Sequence, residues 1–297
     1  MSPKSVVAVS LGLSLVLLCS TTVWSAPEVK LTGFVQARYV SDQAASVAST
    51  FTVKRARATF DAVLTPQSAV RLQLDASGTP ALLDAYCAVK PPDTNLTVRL
   101  GQFKVPISYE IVEPISALLE RELSEAWARL VPKTRDSGVH LLIKGKDRAP
   151  SWDVAVLNGN GLNRNDNNEQ KDVLVREVIP FRQGTAEIAY YTGKFTDGPS
   201  TTVRSRLVGG AEASLGRVGL RGEYVRGRDL GKDVSGGFLR VSGKVGRQHG
   251  IAFAKYDLYD EDLDAPNTTF KRLSLGYAHE LDPQTRLTAV YQIKDVD

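Results

Sequence analysis

Fifteen stretches of this chain alternate polar with apolar residues, and this period of two constrains the fold more than any other feature of the sequence. Turns rich in Gly, Pro, Asp and Asn separate the stretches, as is typical between strands. The predicted strands span residues 30–40, 51–62, 68–76, 82–90, 95–103, 137–145, 151–158, 172–180, 184–194, 201–213, 216–227, 236–246, 249–259, 268–280 and 284–294. The pattern predicts an all-β protein built from antiparallel strands.

Several predicted strands sort their side chains onto two distinct faces. In residues 51–62 one face carries Arg55, Arg57, Thr59 and Asp61, and the other carries Ala56, Ala58, Phe60 and Ala62. One face is suited to water and the other to hydrocarbon. A soluble sheet that packs one face on a core gives the same alternation. A soluble periplasmic β-protein with a binding or structural role is therefore the alternative to a membrane barrel.

Two further patterns favour a transmembrane antiparallel β-barrel. Long charged side chains recur on one face in strand after strand, which a water-filled lumen tolerates. Aromatic residues recur near predicted strand ends, where interfacial girdles require them, at Tyr39, Tyr86, Trp152, Tyr190, Tyr224, Tyr256, Tyr277 and Tyr291. A bilayer also forbids open sheet edges, so we expect a spanning sheet to close on itself.

The first 25 residues have the pattern of an export signal peptide. Lys4 supplies the positive start, Val7–Leu18 is apolar, and Val23 and Ser25 are small enough to precede a cleavage site. The alternatives are a membrane anchor, for which the apolar run is short, and lipid attachment at Cys19. We expect a mature domain of residues 26–297 that is exported to the bacterial outer membrane.

Composition argues against most other classes of function. The predicted mature chain keeps Cys87 as its only thiol, so it has no disulfide framework. Its histidines are too scattered to predict a metal site; they are His140, His249 and His279. A small net charge of +4 does not indicate nucleic-acid binding. No nucleophile elbow is present, and we predict neither enzymatic activity nor a cofactor.

Residues 104–135 form one long interruption between predicted strands. They contain a helix-like run over 115–129, and their apolar residues recur every three to four positions. Long connections in compact folds are usually functional or disordered. We expect this segment to fold into the lumen against the inner wall; the alternative is a helix that lies on the rim.

An ordered set of fragments resembles the phosphate-selective porin O and P family across about residues 31–180. The fragments are Lys54-Arg-Ala-Arg-Ala-Thr-Phe-Asp61, Leu83-Asp-Ala-Tyr86, Val98-Arg-Leu-Gly-Gln-Phe-Lys-Val-Pro-Ile107, Leu119-Glu-Arg-Glu122 and Val156-Leu-Asn-Gly-Asn-Gly161. The resemblance implies a homotrimeric porin of sixteen strands, with the third loop as a constriction and phosphate or other small anions as permeants.

Alternation places an excess of cations on the predicted inner wall. The cations are Arg55, Arg57, Arg71, Arg99, Arg176, Arg204, Arg206, Arg221, Arg240, Lys244, Arg272, Arg286 and Lys294. The acids are Asp61, Asp75, Asp84, Asp153, Glu187, Glu212 and Glu223. The predicted constriction is more evenly charged, because its cations face Glu110, Glu113, Glu120, Glu122, Glu125 and Asp136. We therefore expect a general or mildly anion-preferring pore.

Seven cations are the predicted contacts for permeant anions: Lys104, Arg55, Arg57, Arg71, Arg99, Arg121 and Arg129. Arg55 and Arg57 have an alternative role as partners of carboxylates on neighbouring strands. Lys104 has an alternative role as an anchor of the inserted loop.

The predicted strand count is odd, whereas bacterial single-chain barrels have an even number of strands. The last residues, Lys294–Asp297, resemble the opening of a loop. Either the predicted strand count is wrong by one or a last strand is absent from this sequence, and we expect the latter.

Overall fold

The structure is a computed structural model that describes residues 28–41, 49–79, 81–246 and 250–296. The predicted signal peptide and His249 lie outside the described residues. No helix within these ranges is long and apolar enough to cross a membrane.

All fifteen predicted strands are confirmed, with ends that differ from the predicted ones by up to four residues. They are β1 (Glu28–Val40), β2 (Thr50–Thr65), β3 (Ser68–Asp75), β4 (Ala81–Val89), β5 (Leu96–Lys104), β6 (Arg135–Ile143), β7 (Ser151–Leu157), β8 (Asp172–Phe181), β9 (Gly184–Asp197), β10 (Ser200–Leu215), β11 (Val218–Asp229), β12 (Lys232–Val245), β13 (Gly250–Asp260), β14 (Thr269–Asp282) and β15 (Thr285–Val296).

The strands form one antiparallel sheet in which each strand pairs with the next along the chain. Within the described residues, β1 and β15 each have one partner strand. The connections after odd-numbered strands include the longest ones, whereas the connections after even-numbered strands span two to seven residues where they are fully described. The sheet thus has a long-loop end and a short-turn end.

The two faces of the sheet differ as the sequence predicts. The outer face exposes large apolar side chains, including Phe51 at 83% and Leu207 at 54%. Seven of the eight predicted girdle aromatics are among these exposed side chains. The prediction for Tyr86 is wrong: it faces inward and packs edge-on against Phe103, with ring centroids 6.4 Å apart. An apolar contact on the inner side of β4 and β5 explains this placement.

Residues 105–134, which we call the constriction segment, connect β5 to β6 on the inner side of the sheet. They contain two short helices, α1 (Tyr109–Val112) and α2 (Glu125–Leu130), and a 3-10 turn at Pro132–Thr134. The predicted helix over 115–129 is therefore mostly wrong, because only its C-terminal part is helical. The alternative of a rim helix is also wrong, since Leu118, Ala126 and Trp127 are fully buried.

Both edges of the sheet contact the same part of the constriction segment. Arg38 of β1 donates to Glu122 Oε1 at 3.0 Å, and Arg286 of β15 donates to the Ala117 carbonyl at 3.5 Å. Because strands at opposite edges reach residues 117–122, the sheet must curve around the segment. The segment thus lies where a barrel has its lumen.

Because the outer face is apolar and exposed, we expect a cation placed there in the middle of a strand to destabilise the folded protein in a bilayer. We expect Leu207→Arg to make folding into bilayers less favourable by about 2–4 kcal/mol, because an arginine at the bilayer midplane is poorly solvated. Thr202→Arg places the same side chain on the inner face of the same strand and should cost much less. The folded fraction of each variant is measured at increasing urea concentration from its heat-modifiable migration on a gel. Equal losses for the two variants would contradict the two-faced assignment.

Candidate functional site

Carboxylates on the sheet bind the start of the constriction segment. Glu187 of β9 accepts from the Tyr109 backbone N–H at 3.2 Å. Glu223 of β11 accepts from the Glu110 N–H at 2.9 Å and from the Trp127 indole N–H at 2.6 Å. The free N–H groups at the start of α1 are thereby satisfied inside the protein, where water is scarce.

A buried lysine fixes the middle of the segment. Lys255 of β13 is 1% exposed, and its ammonium lies 2.5 Å from Glu110 Oε1 and 2.6 Å from Glu120 Oε1. The other oxygen of Glu110 accepts from the backbone N–H and hydroxyl of Ser124. One wall cation therefore holds two distant parts of the segment together.

Wall arginines complete the attachment through backbone carbonyls of the segment. Arg206 donates to the Leu130 carbonyl at 2.7 Å and Arg272 donates to the Leu123 carbonyl at 2.9 Å. These two cations point inward as predicted, but they bind the segment rather than line an open path.

Each glutamate of the segment has a cationic partner. Glu113 pairs with Arg221, Glu120 also with Arg240, Glu122 with Arg38 and Lys54, and Glu125 with Arg129. Burial would raise the pKa of Glu120, but the charges of Lys255 and Arg240 outweigh it and lower that pKa below its usual range. The segment's acids thus act mainly as attachment points.

A cavity of about 110 Å³ lies between the constriction segment and strands β2, β5 and β6. Its charged lining consists of Arg55, Arg57, Lys104, Lys133, Arg135, Glu110 and Glu113. Four of these have partners of opposite charge: Arg57 with Asp75, Arg135 with Asp84, and the two glutamates with wall cations. The remaining three, Arg55, Lys104 and Lys133, form no salt bridge with any carboxylate in the described ranges. We call this the basic cavity.

Three of the predicted anion contacts meet in the basic cavity. Arg55 donates to Gln36 at 2.6 Å and to the Arg121 carbonyl at 3.0 Å. Lys104 donates to the carbonyls of Val112, at 3.3 Å, and Glu113. Lys104 is therefore both an anchor of the segment and a lining cation, and it has no carboxylate partner among the described residues.

The third of these, Arg57, lines the same cavity, whereas the other four predicted contacts lie outside it. Arg57 and Arg71 pair with the carboxylates directly opposite them in the strand register, Asp75 at 2.8 Å and Asp61 at 2.6 Å. The alternative of a cross-strand ladder thus describes Arg57 and extends to Arg71.

The remaining three predicted contacts lie outside the basic cavity. Arg99 stacks on Tyr86, and Arg129 pairs with Glu125 and Glu261. Arg121 donates to the Ser116 carbonyl, and burial, followed by repulsion from Arg286 and Arg55, lowers its pKa.

The inner wall carries more charges of both signs than predicted. Its additional cations include Arg38, Lys54, Arg135 and Lys255. Its additional acids bind inward-facing partners and include Asp136, Asp172, Asp229, Asp257 and Glu280. Strand alternation could have placed Lys255 on the inner face, because residues 251, 253, 255, 257 and 259 share one face. Phe253 and Tyr259 on that face obscured its polar character.

The architecture is similar to that of solved outer-membrane porins. An anion-selective porin from Comamonas acidovorans matches with a TM-score of 0.70 at 16% identity, over 90% of this chain and 88% of that one. Salmonella typhi OmpF in complex with daunomycin matches with a TM-score of 0.68 at 12% identity, over 91% of each chain. The trimer form of Vibrio cholerae OmpT matches with a TM-score of 0.63 at 14% identity, over 91% of this chain and 89% of that one.

No protein-family model matches the chain, and no curated protein matches its sequence. The likeness to solved structures nevertheless establishes the fold. The chain has the architecture of a porin barrel with its third loop folded inside.

Removal of the buried ammonium should destabilise the attachment of the constriction segment. We expect Lys255→Met to lower the free energy of unfolding by about 3–5 kcal/mol, because Glu110 and Glu120 lose their shared partner. Lys244→Met, which changes an exposed lysine on β12, should change it by less than about 0.5 kcal/mol. Chemical denaturation in detergent measures both, and limited proteolysis reports cleavage within residues 105–134. Equal stability of the two variants would contradict this attachment.

Proposed function

We propose that this protein is a channel rather than an enzyme, and that it allows passive diffusion of small hydrophilic solutes across a bacterial outer membrane. We propose further that it has a mild preference for anions such as phosphate. The observation that carries the anion preference is the basic cavity, in which Arg55, Lys104 and Lys133 lack carboxylate partners within the described residues. In this proposal residues 1–25 are the export signal and residues 26–297 form the barrel domain.

The membrane location is supported by the distribution of side chains. The outer face presents exposed apolar and aromatic residues, whereas the buried charged residues lie on the inner face and in the constriction segment, beside an apolar cluster that includes Trp127, Val208 and Val225. A soluble sheet would bury its apolar face, and this one exposes it. The porin architecture supports the same location.

The strength of the anion preference follows from which charges are already paired. An anion about 4 Å from one unpaired cation gains roughly 4 kcal/mol at an effective dielectric of 20. The glutamates of the segment repel it less than their number suggests, because wall cations neutralise them. Conduction also requires that the anion leave the site. Glu110 and Glu113 line the same cavity and oppose part of this attraction, so the lining as a whole favours a mild preference over tight binding.

We also propose that the protein is a homotrimer, as the solved OmpT trimer form is. The expected result is a mass of about three chains when the folded protein is measured by light scattering with the detergent contribution subtracted. A mass of one chain would contradict the trimer and leave the channel proposal intact.

Charge reversal in the basic cavity should reduce anion preference. We expect reversal potentials across planar bilayers under a KCl gradient to show anion preference for the unmodified protein, and Lys104→Glu to shift it towards cations. Lys244→Glu makes the same change of charge on the inner face outside the cavity and should shift it less.

Cation preference in the unmodified protein would refute the anion proposal. An identical shift in both variants would refute the assignment to the basic cavity. Phosphate block at micromolar concentration would show a specialised phosphate channel instead of the mild preference proposed.

A further inference from the structure

The short-turn end of the sheet is rich in cations. The described connections after the even-numbered strands carry six exposed cations against two acids, Asp93 and Asp147. We call the six cations the short-turn belt: Lys90, Lys144, Lys146, Arg148, Arg182 and Arg217. None of them forms a salt bridge with a residue in the described part of the chain. Their charge is therefore directed to solvent or to a partner.

The long-loop end has the opposite sign. Apart from the constriction segment, its described connections carry Arg164 and Lys171 against five acids: Asp166, Glu169, Glu261, Asp262 and Asp264. The contrast shows that the positive charge at the short-turn end is not a general property of the surface.

The short-turn belt lies directly beyond the exposed apolar face. Ile143, Phe181 and Leu215 end their strands, are 41%, 41% and 52% exposed, and are followed within two residues by Lys144, Arg182 and Arg217. Trp152 lies at the same level, opposite Ile143 in the register, and is 38% exposed.

The lengths of the turns fix the depth of these cations. Connections of two to seven residues cannot extend far from the strand ends, so their cations stay close to the last apolar residues. If those residues lie in hydrocarbon, the cations lie at the level of the lipid head groups. Lysine and arginine stems can lie along the apolar surface while their charged ends reach the phosphates.

We infer that the short-turn belt binds the head groups of anionic phospholipids in the adjacent membrane leaflet. This inference rests on the membrane location proposed above. The chemistry is charge complementarity beside an apolar surface: each lysine or arginine near an anionic membrane surface adds to the attraction, and salt screens it. The acidic long-loop end does not share this preference.

Trp152 provides a local reporter, because it lies next to the connection that carries Lys144, Lys146 and Arg148. The full chain is folded into two kinds of bilayer. One contains a minor fraction of brominated phosphatidylglycerol, and the other contains the same fraction of brominated phosphatidylcholine. Bromine quenches tryptophan fluorescence on contact. Trp127 is buried in the constriction segment, and Trp152→Phe supplies the background. We expect at least about twofold stronger quenching by phosphatidylglycerol at low salt, and a smaller difference in high salt.

Matched variants assign the effect to the belt. K144Q/R148Q should abolish the preference, whereas R164Q/R226Q, which removes two exposed cations at or near the long-loop end, should retain it. Equal quenching by the two lipids in the unmodified protein, or a preference that K144Q/R148Q retains, would overturn the inference. Absence of quenching by either lipid would instead refute the membrane location itself.

Discussion

The structure depends on the pairing of buried charges between the inner wall and the constriction segment. Lys255 lies between Glu110 and Glu120, and Glu223 binds the backbone at the start of α1. Such pairs contribute little net stability compared with a well-packed apolar contact, but loss of one partner leaves the other charged and poorly solvated. They therefore specify where the segment lies more than they stabilise the protein as a whole.

This use of charge changes the interpretation of an arginine-rich inner wall. Alternation correctly placed Arg206 and Arg272 inside, yet both donate to carbonyls of the constriction segment. Four of the segment's five glutamates likewise pair with wall cations, and the fifth, Glu125, pairs with Arg129 of the segment itself. A count of cations and acids along the lumen thus gives a poor measure of the field that a solute would meet. The cations that lack a carboxylate partner among the described residues, chiefly Arg55, Lys104 and Lys133, give a better measure.

Much of the fold could be predicted from the sequence because the alternation of residues along each strand shows which side chains share a face. The fifteen strands, their inward arginines and the inserted segment all follow from local pattern. What could not be predicted depends on contacts between distant residues. Tyr86 faces inward because Phe103 offers it an apolar contact there, and residues 113–124 are not helical because their backbone groups and neighbouring side chains bind the wall. The role of Lys255 requires carboxylates 135 and 145 residues away.

The contacts of the constriction segment with both sheet edges bear on how the chain folds. Arg38 and Glu122 are 84 residues apart, and Ala117 and Arg286 are 169 apart. Contacts this distant in sequence form only after much chain entropy has been lost, which slows folding. The two contacts can be completed only when β1 and β15 are both in place. These two contacts therefore tie the constriction segment to both ends of the strand order, and we expect them to be among the last contacts to form.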